Sequence, residues 1–306
     1  MNVPPAEGTL IRFMPAVFVL IWSTGFVVAK FGLPYAPPLT FLAIRYLLSI
    51  ICFLFWIALA RAVWPRGREQ WLHLGVSGVL MHAGYLGGVW VAVKSGMGSG
   101  LAALIVGLQP VLTALWVSAV APPGGSATDE HRVTRRQWIG LALGLAGLLL
   151  VVARKFGTGS EVTALTLGCI VLALLSITAG TLYQKRFVKP ADVRTANAIQ
   201  LTAALLVTVP LALIEHEPIV WNLHFLSAMA WSVLVLTLGG SSLLYLLIQR
   251  GAATAVTSLL YLVPPTTALM AWALFNETIT MVTLAGTALT AMGVSLVVRP
   301  ARSPLS

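Results

Sequence analysis

Charge is what this sequence has least of. Only 9% of its 306 residues are Asp, Glu, Lys or Arg, against 58% hydrophobic, and its mean hydropathy is +0.92. A soluble globular chain carries about 25% charged residues, so lipid has to be the solvent for most of this one. Acids are scarcer than bases, 9 against 19, and none of the acids falls inside an apolar run. The two cysteines, Cys52 and Cys169, sit within apolar runs as small core residues and carry no information about redox compartment. No polar stretch is long enough for a soluble domain, since the longest loop runs only from Ala121 to Arg136. Catalytic patterns are missing too: there is no Gly-x-Ser-x-Gly elbow and no His/Asp/Cys set at metal-ligand spacing. The chain therefore reads as a non-enzyme with no catalytic residue, cofactor or metal. The glycine-rich turn Ser95–Gly100 follows a helix rather than a strand, so it is not a phosphate loop. Asn276-Glu277-Thr278 fits a glycosylation sequon but reads better as the first turn of the last helix.

What is present is a series of apolar runs near the length of about 20 residues that spans a bilayer. They predict helices over 13–33, 38–60, 71–93, 97–119 and 137–153, then 162–183, 196–214, 224–248, 253–275 and 280–298. The first resembles a signal-peptide core but is about 20 residues long with nine more behind it, so it reads as a retained helix. The basic residues orient the set. With the N-terminus in the cytoplasm and sides alternating, 14 Lys and Arg fall on the cytoplasmic side and 3 outside (Lys94, Arg154 and Lys155), with Lys30 and Arg45 left inside apolar runs. Basic residues are retained inside, which puts both termini in the cytoplasm of a cell inner membrane. No basic stripe interleaved with stacking aromatics lies outside the membrane, so nucleic acid is not expected as a partner.

The two halves repeat. At an offset of 155, Gly25, Lys30, Ala36, Thr40, Ala43 and Ile44 match Gly180, Lys185, Ala191, Thr195, Ala198 and Ile199, and Gly96, Leu104 and Pro110 match Gly251, Leu259 and Pro265. The last helix of each half aligns at an offset of 146, pairing Gly140, Gly147 and Val151 with Gly286, Gly293 and Val297; the difference falls in the Ala121–Arg136 loop. Five helices per half make the second half inverted, an arrangement used by transporters that rock around a midplane site. The expected division is 1–155 and 156–306.

On these residues the chain resembles the drug/metabolite transporter superfamily, in its ten-helix EamA-like branch. The resemblance rests on Trp22-Ser23-Thr24-Gly25-Phe26, Lys30, Pro37, Pro38, Phe41 and Arg45-Tyr46. It continues through the Gly96–Pro110 segment and the run Tyr245, Arg250-Gly251-Ala252, Pro265, Asn276-Glu277, Gly286, Gly293. The family's acidic turn between helices 4 and 5 is replaced here by the longer segment holding Asp129 and Glu130. The resemblance implies export of amino acids or related small metabolites and a central cavity lined by helices 1, 3, 4, 6, 8 and 9.

Polar and aromatic residues near mid-membrane are the candidate solute contacts: Trp22, Thr24, His82, Tyr85, Trp90, Gln109, Tyr183, Gln184, Tyr245 and Tyr261. Lipid offers no hydrogen bonds, so each needs a partner helix or a wet cavity. Lys30 and Arg45 are the gating or charge candidates; for Arg45 the plain alternative is a structural bond to helix-end carbonyls or Glu277, and for Lys30 a snorkelling anchor. Pro110, Pro264 and Pro265 lie at matching places in helices 4 and 9 and are candidate hinges. The glycines of helices 5 and 10 favour internal packing over a dimer face, so a monomer or weak dimer is expected. With no membrane carboxylate and only His82 available as a proton relay, the solute is expected to be neutral, zwitterionic or anionic. For the same reason a facilitator or exchanger is favoured over a proton antiporter. The expectation is an all-α membrane carrier of two inverted five-helix repeats exporting a small metabolite by alternating access. An importer or sugar- or nucleotide-related carrier is the alternative, and an intramembrane enzyme or sensor is the alternative of another class.

Overall fold

The computed structural model describes residues 5–119, 135–155, 161–244 and 262–297, and among them every regular element is a helix. Helix α1 spans Pro5–Gly32 and α2 Pro38–Ala60, joined by a single 3-10 turn at Leu33–Tyr35. Helix α3 runs Arg68–Lys94 with a π-helical segment at Val79–Gly84. Helix α4 comes in two pieces, Ser99–Val106 and Gln109–Ala119, and α5 is Arg135–Lys155. Then come α6 (Ala164–Phe187), α7 (Val193–Ala212), α8 (Leu223–Leu244, π-helical over Trp231–Ser241), α9 (Val263–Phe275) and α10 (Met281–Val297). Six of these are long and apolar enough to cross a membrane unaided. At 23 residues, α2 is about 35 Å long at 1.5 Å per residue, against a hydrocarbon core of about 30 Å.

The burial pattern is that of a protein solvated by lipid. Along α2 the inward face is Phe41, Leu42, Arg45, Tyr46, Ser49 and Phe53, while Leu47, Leu48, Ile51, Leu54 and Phe55 point outward. Polar groups are buried and large apolar ones are exposed, the reverse of a water-facing surface. Helix ends are fixed locally where they can be: Thr163 and Thr166 form a reciprocal cap at α6, Asp192 accepts from the Arg194 amide at α7, and Asn222 from the Phe225 amide at α8 (2.8 Å).

Two departures from the expected runs have physical causes. Helix α4 breaks at Gly107–Leu108 rather than continuing, because the Pro110 ring cannot accommodate the carbonyl four residues back; the first piece ends at Val106 and Pro110 falls in the first turn of the second. Pro264 and Pro265 likewise stand in the first turn of α9, and a Cβ on Gly107 would come within 2.8 Å of Pro264 Cγ, so the two proline-marked starts pack together. Helix α1 begins at Pro5 rather than 13, since hydropathy marks only the part of a helix that lies in lipid.

The helices pack in matched sets. Helix α5 lies along α10, where a side chain on Gly293 would strike the Gly140 carbonyl and the Gly144 backbone. Helix α2 lies along α7; α3 packs on α6 and α1 on α8; α3 also meets α7 as α8 meets α2; and α4 meets α6 as α9 meets α1.

The two ends differ in charge. One gathers Glu161, Glu215, Glu217 and Glu277, and the other Arg61, Arg66, Arg68, Lys185, Arg186, Lys189 and Arg194; they are called here the acidic and basic ends.

Candidate solute-binding cavity

A cavity of about 760 Å³, its open mouth included, lies inside the bundle between helices of both halves. Helix α1 contributes Trp22, Gly25 and Phe26; α2 contributes Arg45; and α3 contributes Met81, His82, Tyr85, Leu86, Val89 and Trp90. From the second half come Ile177 and Gln184 of α6, Asn197 and Gln200 of α7, and Leu236, Ser241 and Leu244 of α8. Among the described residues that line it, Arg45 is the one Lys or Arg and none is a carboxylate.

The polar side of the cavity is built around the two π-helical segments. Their residues His82 and Thr237 are 155 positions apart, the offset that relates the two halves. Two consecutive residues of α2 grip both. Arg45 Nε donates to Thr237 Oγ1 (3.0 Å), and the Tyr46 hydroxyl donates to the His82 carbonyl (2.9 Å). Thr237 in turn donates to the Ser232 carbonyl five residues back (2.8 Å), the long step of a π-helix. Such segments widen a helix locally and recur at functional sites. Farther toward the basic end, Gln200 Nε2 donates to Ser77 Oγ (2.9 Å) and Gln184 Oε1 (3.1 Å), and Asn197 Nδ2 donates to the Val193 carbonyl (2.7 Å). Helix α3 comes this close to α7 because Gly78 faces the Gln200 backbone, where any side chain would collide. The opposite wall is aromatic: Trp90 is packed on Phe41 (4.5 Å between centroids), and Tyr85 meets Trp22.

Of the residues singled out in the sequence, Trp22, Arg45, His82, Tyr85, Trp90 and Gln184 line this cavity. Four others stand elsewhere. Thr24 donates to the Ile21 carbonyl (2.6 Å) and accepts from Trp231 Nε1 (2.9 Å); Gln109 donates to Thr181 Oγ1 (3.0 Å). Tyr183 pairs with His73 Nδ1 (2.8 Å) at the basic end, and Lys30 pairs with Glu277 (2.6 Å) at the acidic end. Tyr245 and Tyr261 lie outside the described residues. The helices implied to line the cavity need correction. Helices 1, 3, 6 and 8 do, joined by α2 and α7; the described parts of helices 4 and 9 pack against each other through Gly107 and Pro264, and the first part of helix 9 lies outside the described residues. Asn197 and Gln200, which also line the cavity, were not among the residues singled out in the sequence although they are polar, three residues apart and inside an apolar run, which places them on one helix face.

Comparison with known proteins agrees with this architecture. The EamA-like transporter family matches the chain twice, over residues 11–153 and 164–299. The chain belongs to the EamA-like transporter family. It is a multi-pass membrane transporter and not an enzyme. Among curated relatives, a probable amino-acid metabolite efflux pump of Salmonella typhimurium (strain LT2) is 25% identical over 92% of this chain and 92% of its own length. The uncharacterized inner membrane transporter YedA of Escherichia coli (strain K12) is 27% identical over 89% of this chain and 86% of its own length. A crystal structure described only as that of a protein superposes with a TM-score of 0.65 at 18% identity, covering 93% of this transporter and 94% of that chain, a likeness of fold alone. The transporter's cavity takes lining residues from both of the segments that the family matches rather than from one of them.

Proposed function

We propose that this transporter exports small metabolites, amino acids or related compounds, by alternating access between two inverted five-helix halves, residues 1–155 and 156–306. The observation that carries the reading is the cavity itself, a partly polar space lined from both α1–α3 and α6–α8, with a cation and no acid among its described residues. Three further observations support it. The same family pattern matches each half once. Exchanging α1–α5 with α6–α10 leaves the α5–α10, α2–α7 and α4–α9 contacts in place and interchanges α3–α7 with α8–α2, α3–α6 with α8–α1 and α4–α6 with α9–α1, a pattern that a two-fold in the membrane plane would produce. The π-helical segments occupy corresponding places in α3 and α8 and line the cavity together. Export is favoured by relatives named as amino-acid metabolite efflux pumps; a neutral, zwitterionic or anionic solute is favoured by the lining. The charge bias of the two ends supports cytoplasmic termini, with the acidic end outside. Close packing of α5 on α10 uses the glycine faces internally, which supports a monomer or weak dimer.

The test is flux into and out of liposomes holding the purified transporter, over amino acids, organic acids, nucleosides and sugars, with and without a pH gradient. Saturable flux of at least one solute, abolished in Arg45→Ala of unchanged melting temperature, is the expected result. Flux of none, or flux indifferent to that substitution, overturns the assignment of this cavity as the transport site.

A further inference from the structure

Resting on the transport reading, we propose that the cavity selects a solute by a single carboxylate held on Arg45, that the body of the solute is apolar, and that an amino group is not required. Arg45 is only 5% exposed and lines the cavity. Its hydrogen bonding among the described residues is the one bond from Nε to Thr237. The two terminal nitrogens of the guanidinium have no acceptor there. A buried cation left without a counter-ion is costly, and the planar fork of a guanidinium matches a carboxylate oxygen for nitrogen.

The other embedded cation shows the contrast. Lys30 is neutralised by Glu277 at 2.6 Å, so of the two only Arg45 is left for a ligand. Thr237 fixes Arg45 through Nε, which leaves the end of the fork without an acceptor among the described residues. Across the cavity from this polar side the wall is largely apolar and aromatic, with Trp22, Phe26, Tyr85, Leu86 and Trp90. An ammonium group finds no carboxylate in the lining, and the apolar runs of the whole chain contain none. The amide oxygen of Gln184 already accepts from Gln200. The site therefore recognises an organic acid with an apolar or aromatic body, and treats the amino group of an amino acid as neutral to binding at best.

Four compounds of one shape separate the possibilities: 3-phenylpropanoate, phenylalanine, 3-phenylpropanamide and phenethylamine. Binding is read by intrinsic tryptophan fluorescence and by thermal shift of the purified transporter, and flux is read in liposomes. The acid is expected to bind at least as tightly as phenylalanine, and about tenfold or more tighter than the amide or the amine, the scale of a charge-assisted bond. Arg45→Gln should erase the preference for acid over amide, and Arg45→Lys should restore part of it. Should Arg45→Gln fail to fold, Thr237→Val keeps the charge, frees Nε, and is expected to weaken the acid more than the amide.

Equal affinity for acid and amide overturns the proposal. So does binding of phenylalanine without the propanoate, binding of none of the four at millimolar concentration, or an undiminished acid preference in folded Arg45→Gln. Binding with no flux would sink the transport reading and leave the acid site standing. Flux of solutes lacking a carboxylate, with no preference for acids, would do the opposite.

Discussion

The acidic and basic ends of the bundle both tie the first half of the chain to the second, but by different chemistry. At the acidic end, carboxylates of the second half cap helices of the first. Glu215 accepts from the Leu39 and Thr40 amides at the start of α2 (3.0 and 2.7 Å) and from the Thr40 hydroxyl (2.8 Å). Glu277 accepts from the Ser99 amide (3.1 Å) and hydroxyl (3.0 Å) at the start of α4, and from Lys30. Lys94 reaches the Leu33 carbonyl (3.0 Å) and Glu217 (2.6 Å). At the basic end the ties are neutral or aromatic. Gln70 bonds both ways to the Lys189 backbone (2.8 and 3.2 Å), Thr195 donates to the Val63 carbonyl (3.3 Å), and His73 meets Tyr183 while stacking on Phe187. Its well-bonded acid, Asp192, pairs with Arg194 of the same half and closes nothing. One end is clasped by charge at helix dipoles; the other is held by amides and rings.

That contrast can be broken by substitution. The largest effect is expected from Glu277→Ala, which removes a helix cap and leaves Lys30 half-buried without a partner; a loss of about 2–4 kcal/mol is expected, read as a lowered melting temperature with faster amide exchange at residues 99–102. Next is acidification. Burial alone would raise the Glu277 carboxyl, but Lys30 and Ser99 outweigh it and hold it below the ordinary 4.5. Its contribution is therefore whole above pH 4.5 and is lost as pH falls through the lower folded value. The acidic end should open in acid before the basic end does, as cysteine accessibility at each end would register. Gln70→Ala should cost about 1–2 kcal/mol, with no added pH dependence. A cost equal to that of Glu277→Ala, with the same acid sensitivity, would erase the distinction between the ends. The smallest effect is expected from Lys94→Ala: Glu217 is 62% exposed, so the pair is worth under about 1 kcal/mol.

Much of the cavity was legible because polar and aromatic residues inside apolar runs are expensive and hence informative. Trp22, Arg45, His82, Tyr85, Trp90 and Gln184 were found that way and face the same space. Thr24, Gln109 and Tyr183 were found by the same signal but solve their hydrogen bonding against a neighbouring helix instead. Sequence periodicity gives a residue's face on its own helix and cannot say whether that face meets a cavity or another helix. The π-helical segments in α3 and α8 carry no composition signal of their own; they arise where Tyr46 and Arg45 of α2 engage them.

The sequence by itself determined that lipid is the solvent, where the apolar helices lie, that the two halves share a pattern, and which charges gather at which end, because these depend on composition and on spacing within one run. Only the tertiary structure decided which polar group each buried charge would find. Arg45 bonds Thr237, 192 residues away, and is left open to the cavity, while Lys30 takes Glu277, 247 residues away. Such pairings depend on how ten helices pack side by side, and a pattern with a period of 3.6 residues carries no record of which neighbour will be met.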